Sequence, residues 1–358
     1  MSTPREIGSD FELDASAEVG PPVAPWGWVQ DPATRRLLSG REALRLLLRD
    51  ARADGRDRLL LPAYLCDSVA QAASPDWDLE WIPVTDRLLP RPDALADAMA
   101  RAPERTVVVE VPIFSSPPPP AVRQALDSQP AARVIEDLTQ TLLSHRRPKR
   151  AHAIASVRKW LPLADGGLAV GTSTPADGAD DAFAEQRAAT MNAKWRWLQD
   201  GTGDKDAYLR GYSTWEHALD DARGVRRMSA PSQARLEAAD LEAIGAARRA
   251  NYRTMRELVL MSPRIGDEIT LFEPDLPDGA VPLGLPVICR RRDALRRHLI
   301  RNRVYCPVHW PLPAAVAEGD FPVAQRRNRE FMTLVIDQRY DARDMARVAT
   351  LIEDFSRT

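Results

Sequence analysis

Between residues 59 and 170 the chain alternates short apolar runs of β type with amphipathic stretches, and this alternation restricts the fold more than any other feature. The apolar runs stand at 59–61, 79–84, 106–111, 133–135, 154–155 and 168–170, and helical spacing at 41–52, 92–99 and 121–126. A strand that is apolar on both sides has to be covered on both sides, and helices joining successive strands by right-handed crossovers give that cover. The pattern predicts an α/β fold built on a parallel sheet. In such sheets ligands collect at the carboxyl ends of the strands. The tetraproline 117–120 fits the scheme as an extended loop that ends at a helix start.

After residue 170 the pattern changes. Residues 172–181, with Pro175 and Gly178, read as an exposed loop, and helical stretches follow at 182–198, 205–222 and 232–259. A smaller unit comes next, with strands predicted at 283–289, 304–306 and 331–336 and helices at 292–301 and 342–355. The first 25 or so residues are polar and are expected to be ordered only where they pack on something else. A chain of 358 residues exceeds one ordinary core. The expected division is an N-terminal extension at 1–36, a large domain at 37–235 and a small C-terminal domain at 236–358.

A net charge of −2 gives no reason to expect nucleic acid or membrane as a partner, and no apolar run reaches the roughly 18 residues of a membrane helix. Three cysteines (Cys66, Cys289, Cys306) fit a reducing cytoplasm, and five scattered histidines without paired Cys/His spacing speak against a metal site. Only four of the 49 basic residues are lysines, which leaves 49 − 4 = 45 arginines. Arginine keeps its proton, whereas a lysine amine can be made a nucleophile that condenses with a carbonyl. Lys149 lies in a basic run, and Lys194 and Lys205 lie in polar helical stretches where solvated charge is the expectation. Lys159 differs: it follows the apolar run 151–155 and shortly precedes Asp165-Gly166-Gly167.

Two further features belong with it. Ser39-Gly40-Arg41 stands before a strongly apolar helix, so Ser39 reads as an N-cap, and the first free amides can equally receive a phosphate. Val134-Ile135-Glu136-Asp137 ends a buried strand in two carboxylates. Asp137 can cap the next turn or hold a proton on a heteroaromatic nitrogen, and Gln140 can bond back to that cap or reach a ligand. Lys159 follows a strand of the same sheet, so it and Asp137 are expected to line one crevice. An imine-forming lysine, an acid for a ring nitrogen and a helix start for a phosphate are together what pyridoxal 5'-phosphate requires.

These residues resemble the DegT/DnrJ/EryC1/StrS family of pyridoxal-phosphate enzymes, of fold type I, whose best-known members are sugar aminotransferases. The stretches that carry the resemblance are Ser39-Gly40-Arg41-Glu42-Ala43-Leu44, Leu61-Pro62-Ala63-Tyr64-Leu65-Cys66, Ile135-Glu136-Asp137-Leu138-Thr139-Gln140, Ser156-Val157-Arg158-Lys159-Trp160, Arg249-Ala250-Asn251-Tyr252 and Ile336-Asp337-Gln338-Arg339-Tyr340. The resemblance implies a large parallel-sheet domain with a smaller C-terminal α/β domain, in a homodimer. It makes Lys159 the imine lysine and proton shuttle, Asp137 the partner of the pyridine nitrogen and Gln140 a contact of the phenolic oxygen. Ser156 and the Gly40-Arg41 amides would hold the phosphate.

The chain departs from the family at two places. Cys66 stands where an aromatic residue covers the cofactor ring, with Tyr64 as the substitute, and the Asn that precedes Arg-Met is missing, which leaves Arg227 as the candidate from a partner subunit. Lysine rather than histidine at 159 argues against the dehydratase branch.

For substrate contacts the segment 303–310 offers Tyr305, His309 and Trp310, although core packing explains the aromatic pair equally well. Arg339 caps a strand or binds a carboxylate, and Cys66 is a packing residue or a reactive thiol. The implied activity is amino transfer to a keto group on a nucleotide sugar or a related secondary-metabolite or polysaccharide precursor. Decarboxylation, elimination or replacement on an amino acid is the alternative with the same cofactor. An inactive binding or regulatory protein is the alternative of another class.

Overall fold

The computed structural model describes residues 5–73, 75–114, 117–221, 224–273 and 275–357. In chain order the first half contains strand β1 (Ile7–Gly8), β2 (Arg35–Leu37), helix α1 (Gly40–Ala53), β3 (Arg58–Pro62), α2 (Asp67–Ala73), β4 (Asp78–Ile82) and α3 (Pro92–Ala100). Then come β5 (Thr106–Glu110), α4 (Pro120–Asp127), β6 (Arg133–Asp137), β7 (His152–Ser156), β8 (Gly167–Val170) and β9 (Asp177–Ala179). The helices α5 (Asp181–Asp200) and α6 (Lys205–Asp221) lead to β10 (Arg226–Arg227), α7 (Ala230–Glu237) and α8 (Leu241–Met261). The remainder is α9 (Pro263–Glu268), β11 (Thr270–Leu271), β12 (Leu285–Ile288), α10 (Arg292–Arg301), β13 (Val304–Tyr305), α11 (Ala314–Ala317), α12 (Pro322–Glu330), β14 (Phe331–Leu334) and α13 (Ala342–Ser356).

Among the described residues the main sheet has the order β4-β3-β5-β6-β7-β8-β2-β10-β9. Alternate residues of one strand serve opposite layers. Leu59, Leu61, Val107 and Val109 pack with Leu44 and Leu47 of α1, while Leu60 and Val108 pack with Leu95 and Met99 of α3 and Val122 and Leu126 of α4. Strands β4, β3, β5, β6 and β7 run parallel, but β8 is antiparallel to β7, and β2 is antiparallel to β8. The sheet is therefore mixed rather than wholly parallel. The reason is the connection 157–166, which is too short for the dozen or more residues a parallel crossover needs.

Other expectations shift as well. The helical stretch 232–259 is two helices, because Asp240 accepts a hydrogen bond from Ala243 N (2.9 Å) and starts α8 anew. The expected loop 172–181 contributes strand β9, which pairs with β10 at the sheet edge. In the C-terminal part, β12 pairs with β11 and β14, whereas β13 leaves that sheet and pairs in parallel with β1. The polar N-terminal segment is thus a structural element, with Ile7 fully buried. A buried joint ties the C-terminal part to the main sheet: Arg248 lies 4.6 Å over the Trp160 ring, its Nε donates to Gln338 Oε1 (2.9 Å), and Gln338 Nε2 donates to Trp160 O (2.7 Å). No helix among the described residues is long and apolar enough to cross a membrane.

Candidate active site

At the carboxyl end of β6 the period of two separates the paired carboxylates. Glu136 turns to one side, where its Oε2 accepts from the amides of Lys149 (2.8 Å) and Arg150 (3.3 Å). Asp137 turns to the other. It is buried, and its Oδ1 accepts from the Thr139 amide (3.0 Å). Burial pushes its carboxyl up, opposed by the hydrogen bonds from Thr139 and by the positive charge of Lys159. Thr139 links this turn to the next strand, for its Oγ1 accepts from Ser156 N (3.1 Å) and its carbonyl from Trp160 Nε1 (2.8 Å). Lys159 closes the single turn after Ser156, with an exposed side chain whose Nζ is 6.0 Å from the centre of the Trp310 ring. Asp137, Ser156 and Lys159 are thus assembled at two neighbouring strand ends.

The start of α1 lies beside them. Ser39 is the N-cap, its Oγ accepting from Glu42 N (3.2 Å), which leaves the amides of Gly40 and Arg41 free of the helix's own bonding. A Cβ at Gly40 would stand 3.0 Å from Ser156 Cβ, and one at Gly167 would overlap the Ser39 carbonyl. Glycine at both positions brings the helix start onto the strand end that bears Ser156. The Arg41 guanidinium turns away to Asp220 (2.7 Å), so only its amide serves this corner. Gly166, at φ +156°, and buried Asp165, which accepts from Ser229 N and Oγ (both 2.7 Å), fix the loop behind Lys159.

The opposite wall is aromatic. His309 Nδ1 is 2.8 Å from Thr333 Oγ1, and its ring meets those of Phe114 (5.6 Å) and Trp310 (5.2 Å). Burial, with the Lys159 charge nearby, pushes its pKa down to about 3, so the imidazole is neutral. Phe114 adopts a left-handed backbone (φ 49°), and its amide donates to Gln140 Oε1 (3.1 Å). Gln140 Nε2 is buried and has no acceptor among the described residues. Such an orphaned donor normally has a partner.

The expected stacking by Tyr64 does not match the geometry: its ring is fully buried against Trp310 and Phe331, and its hydroxyl donates to the His309 carbonyl. Half-buried Cys66, with Sγ 3.1 Å from Ser68 Oγ, retains access. Tyr305 is also placed elsewhere, its hydroxyl receiving Lys205 Nζ (3.0 Å), which in turn pairs with Glu6 (2.5 Å). Arg339 is taken up by internal carboxylates, those of Asp337 (2.9 Å) and Glu12 (2.8 Å), rather than held out toward a substrate. Neither Lys205 nor Lys194 is a solvated charge: Lys194 is buried and pairs with Glu12 (3.3 Å). Arg227 is exposed on β10, with β8 and β2 between it and β7, so the chain does not itself bring it to Lys159.

The sequence did not single out Thr139, Phe114 or Thr333. Thr139, two residues after the strand-end aspartate, was the legible one, as a residue that can close an Asx-type turn. The two resembling stretches near the C-terminus meet each other: Asn251 Nδ2 donates to the carbonyls of Ile336, Asp337 and Tyr340 (3.3, 3.1 and 2.8 Å).

Solved structures share this arrangement of strands and helices. DesV of S. venezuelae, in complex with a ketimine intermediate, is 22% identical with a TM-score of 0.64, over 91% of this chain and 85% of that one. The putative sugar aminotransferase Spr1654 of Streptococcus pneumoniae, in its PLP form, is 13% identical with a TM-score of 0.68, over 98% and 99%. A DegT DnrJ EryC1 StrS aminotransferase of Brucella abortus is 16% identical with a TM-score of 0.63, over 91% and 86%. The chain has the aminotransferase fold. The expected fold type I architecture, a large sheet domain followed by a smaller α/β part, is therefore correct. No family model matches the sequence, and no curated protein does. Open α/β sheets collect ligands at the carboxyl ends of their strands, and Asp137, Ser156 and Lys159 stand at such ends.

Proposed function

We propose that the protein is a pyridoxal-phosphate-dependent aminotransferase of the DegT/DnrJ/EryC1/StrS type. Its amino acceptor would be a keto group on a sugar, nucleotide-linked or free, or on a related secondary-metabolite or polysaccharide precursor, and the working unit a homodimer. The observation that carries this reading is the placement of Lys159 and the buried Asp137 carboxylate at neighbouring strand ends, with the amide-bearing start of α1 beside Ser156. Of the solved structures with this fold named above, the Brucella abortus protein is described as a DegT DnrJ EryC1 StrS aminotransferase, Spr1654 as a putative sugar aminotransferase, and DesV holds a ketimine intermediate.

The residues present fit the cofactor. Asp137 is a carboxylate whose charge burial disfavours, and a cationic ring nitrogen would stabilise it. Among the described residues Gln140 Nε2 is a buried donor without an acceptor, and a phenolic oxygen would supply one. Gly40, Arg41 and Ser156 supply the phosphate corner, where two amides at a helix start favour an anion. When bound, pyridoxal phosphate supplies an aldehyde that condenses with amines and a ring that withdraws electrons from the adjacent carbon.

The chain's own part is then positional and acid–base. With the cofactor bound, the Asp137 charge would keep a proton on the ring nitrogen, and Lys159 Nζ would serve as the base that takes the proton from the donor's α-carbon and returns one to the product. Neutral His309 and Trp310 wall the crevice beside Lys159 without adding charge. Cys66 is the residue we assign to the ring face, and a partner's Arg227 to the phosphate.

Two experiments test the reading. Lys159→Ala is expected to abolish the visible absorbance that survives dialysis after loading with pyridoxal phosphate, and turnover with it; persistence of both would refute the assignment. With glutamate alone, the wild-type protein is expected to release about one equivalent of 2-oxoglutarate per site and stop, as a two-stage transfer requires. Release of carbon dioxide or ammonia instead would point to another reaction.

A further inference from the structure

We infer that the N-terminal segment 6–13 is a strap that positions the two walls of the Lys159 crevice relative to each other. The inference rests on reading that crevice as the reacting site. One wall carries Lys159 itself. The other is the segment 303–310, which begins with β13 and brings His309 and Trp310 to the amine.

The segment is bonded to both. Toward the second wall, Ile7 and Gly8 pair in parallel with Val304 and Tyr305, and Ile7 N donates to Arg303 O (2.9 Å). Gly8 has φ +91°, and a Cβ there would overlap the Tyr305 carbonyl, so only glycine permits the approach. Its amide donates to Tyr340 Oη (2.7 Å). Arg339 then holds the carbonyls of Ser9 (3.0 Å) and Asp10 (3.2 Å) and the carboxylate of Glu12.

Toward the first wall, Asp10 pairs with Arg187 (3.1 Å), Phe11 O accepts from Tyr212 Oη (2.9 Å), and Leu13 packs with Met191, Tyr208, Tyr212 and Ala164. Ala164 belongs to the loop that bears Lys159, and α6 reaches the lysine's neighbour directly through Glu216 and Arg158 (3.0 Å). Lys205 completes the link, joining α6 to Glu6 and Tyr305 at once. Residues 6–13 therefore set the gap across which Lys159 faces Trp310.

Hydrogen exchange of the cofactor-free, full-length protein, combined with steady-state kinetics of the loaded enzyme, tests this. Gly8→Val and, more gently, Lys205→Ala are expected to speed amide exchange in 303–310 by roughly tenfold or more, as local opening does. They should also raise KM for the keto acceptor several-fold while the lysine-bound absorbance is retained. Lys205→Arg should restore both. The inference is overturned if exchange rises within 5–14 alone while 303–310 and KM stay as in the wild type, or if Lys205→Arg fails to rescue what Lys205→Ala loses. Should the wild-type protein neither take up pyridoxal phosphate nor turn over, the functional reading falls, whereas the exchange data still decide whether the strap governs 303–310.

Discussion

Asp137 and His309 show how much of a side chain's chemistry comes from its immediate neighbours. Asp137 was legible as a strand-end carboxylate, and its separation from Glu136 follows from the strand period alone. Its replacement by Asn keeps shape and burial but removes the charge, so turnover should fall by roughly two to three orders of magnitude with the protein still folded, read by kcat and by circular dichroism. His309 was legible only as a residue in an aromatic stretch, because nothing local reveals that Thr333 and Phe114 enclose it. Its folded-state pKa, down to about 3 from an ordinary 6.5, means that the unfolded chain binds the extra proton between those values. Stability should then rise with pH across that window and decline as pH falls from about 6.5 toward 3. His309→Gln should flatten that decline in urea titrations; an unchanged slope would show that the ring is not held neutral. Lys194 was misread for a related reason: the cover over it comes from Glu12 and Asp10, some 180 positions away in sequence.

At the level of elements, α1 illustrates a signal that was complete in the sequence. Ser39 before an apolar amphipathic run specifies the cap, and the cap places the free amides. Ser39→Ala should cost about 1 kcal/mol of stability in chemical denaturation and weaken pyridoxal phosphate retention as well. Gly167 carries a different constraint, visible only in three dimensions, since any Cβ there meets the Ser39 carbonyl. Gly167→Ala should therefore destabilise by roughly 1–3 kcal/mol and loosen the phosphate corner, checked by equilibrium dialysis. Mixed strand direction escaped the apolar pattern, because buried strands look alike whichever way they run, and only the shortness of 157–166 hinted at a reversal. The break at Asp240 was hidden by continuous helical spacing on both sides of a capping residue. Pairing of β13 with β1 joins residues nearly 300 apart, which no local window can register.

Over the whole molecule, buried charge holds the halves together. Arg339 lies between Asp337 and Glu12, and the carboxyl of Asp337 is held below its ordinary range by Arg339 against the cost of burial. Removing one partner of such a set strands the others, so Arg339→Met should cost roughly 3–5 kcal/mol, measured by thermal and urea unfolding. The fold was legible because apolar strand runs and helical stretches alternate along the first half of the chain; the glue between its parts was not, because it is made of arginines that the sequence scatters everywhere. One consequence concerns the stretch bearing Lys159. Strands β7 and β8 pair up to Ser156 opposite Gly167, so the ten residues 157–166 are stapled at both feet. Whatever travel the amine has must come from its own four methylene groups, and a side chain so tethered trades reach for repeatable aim.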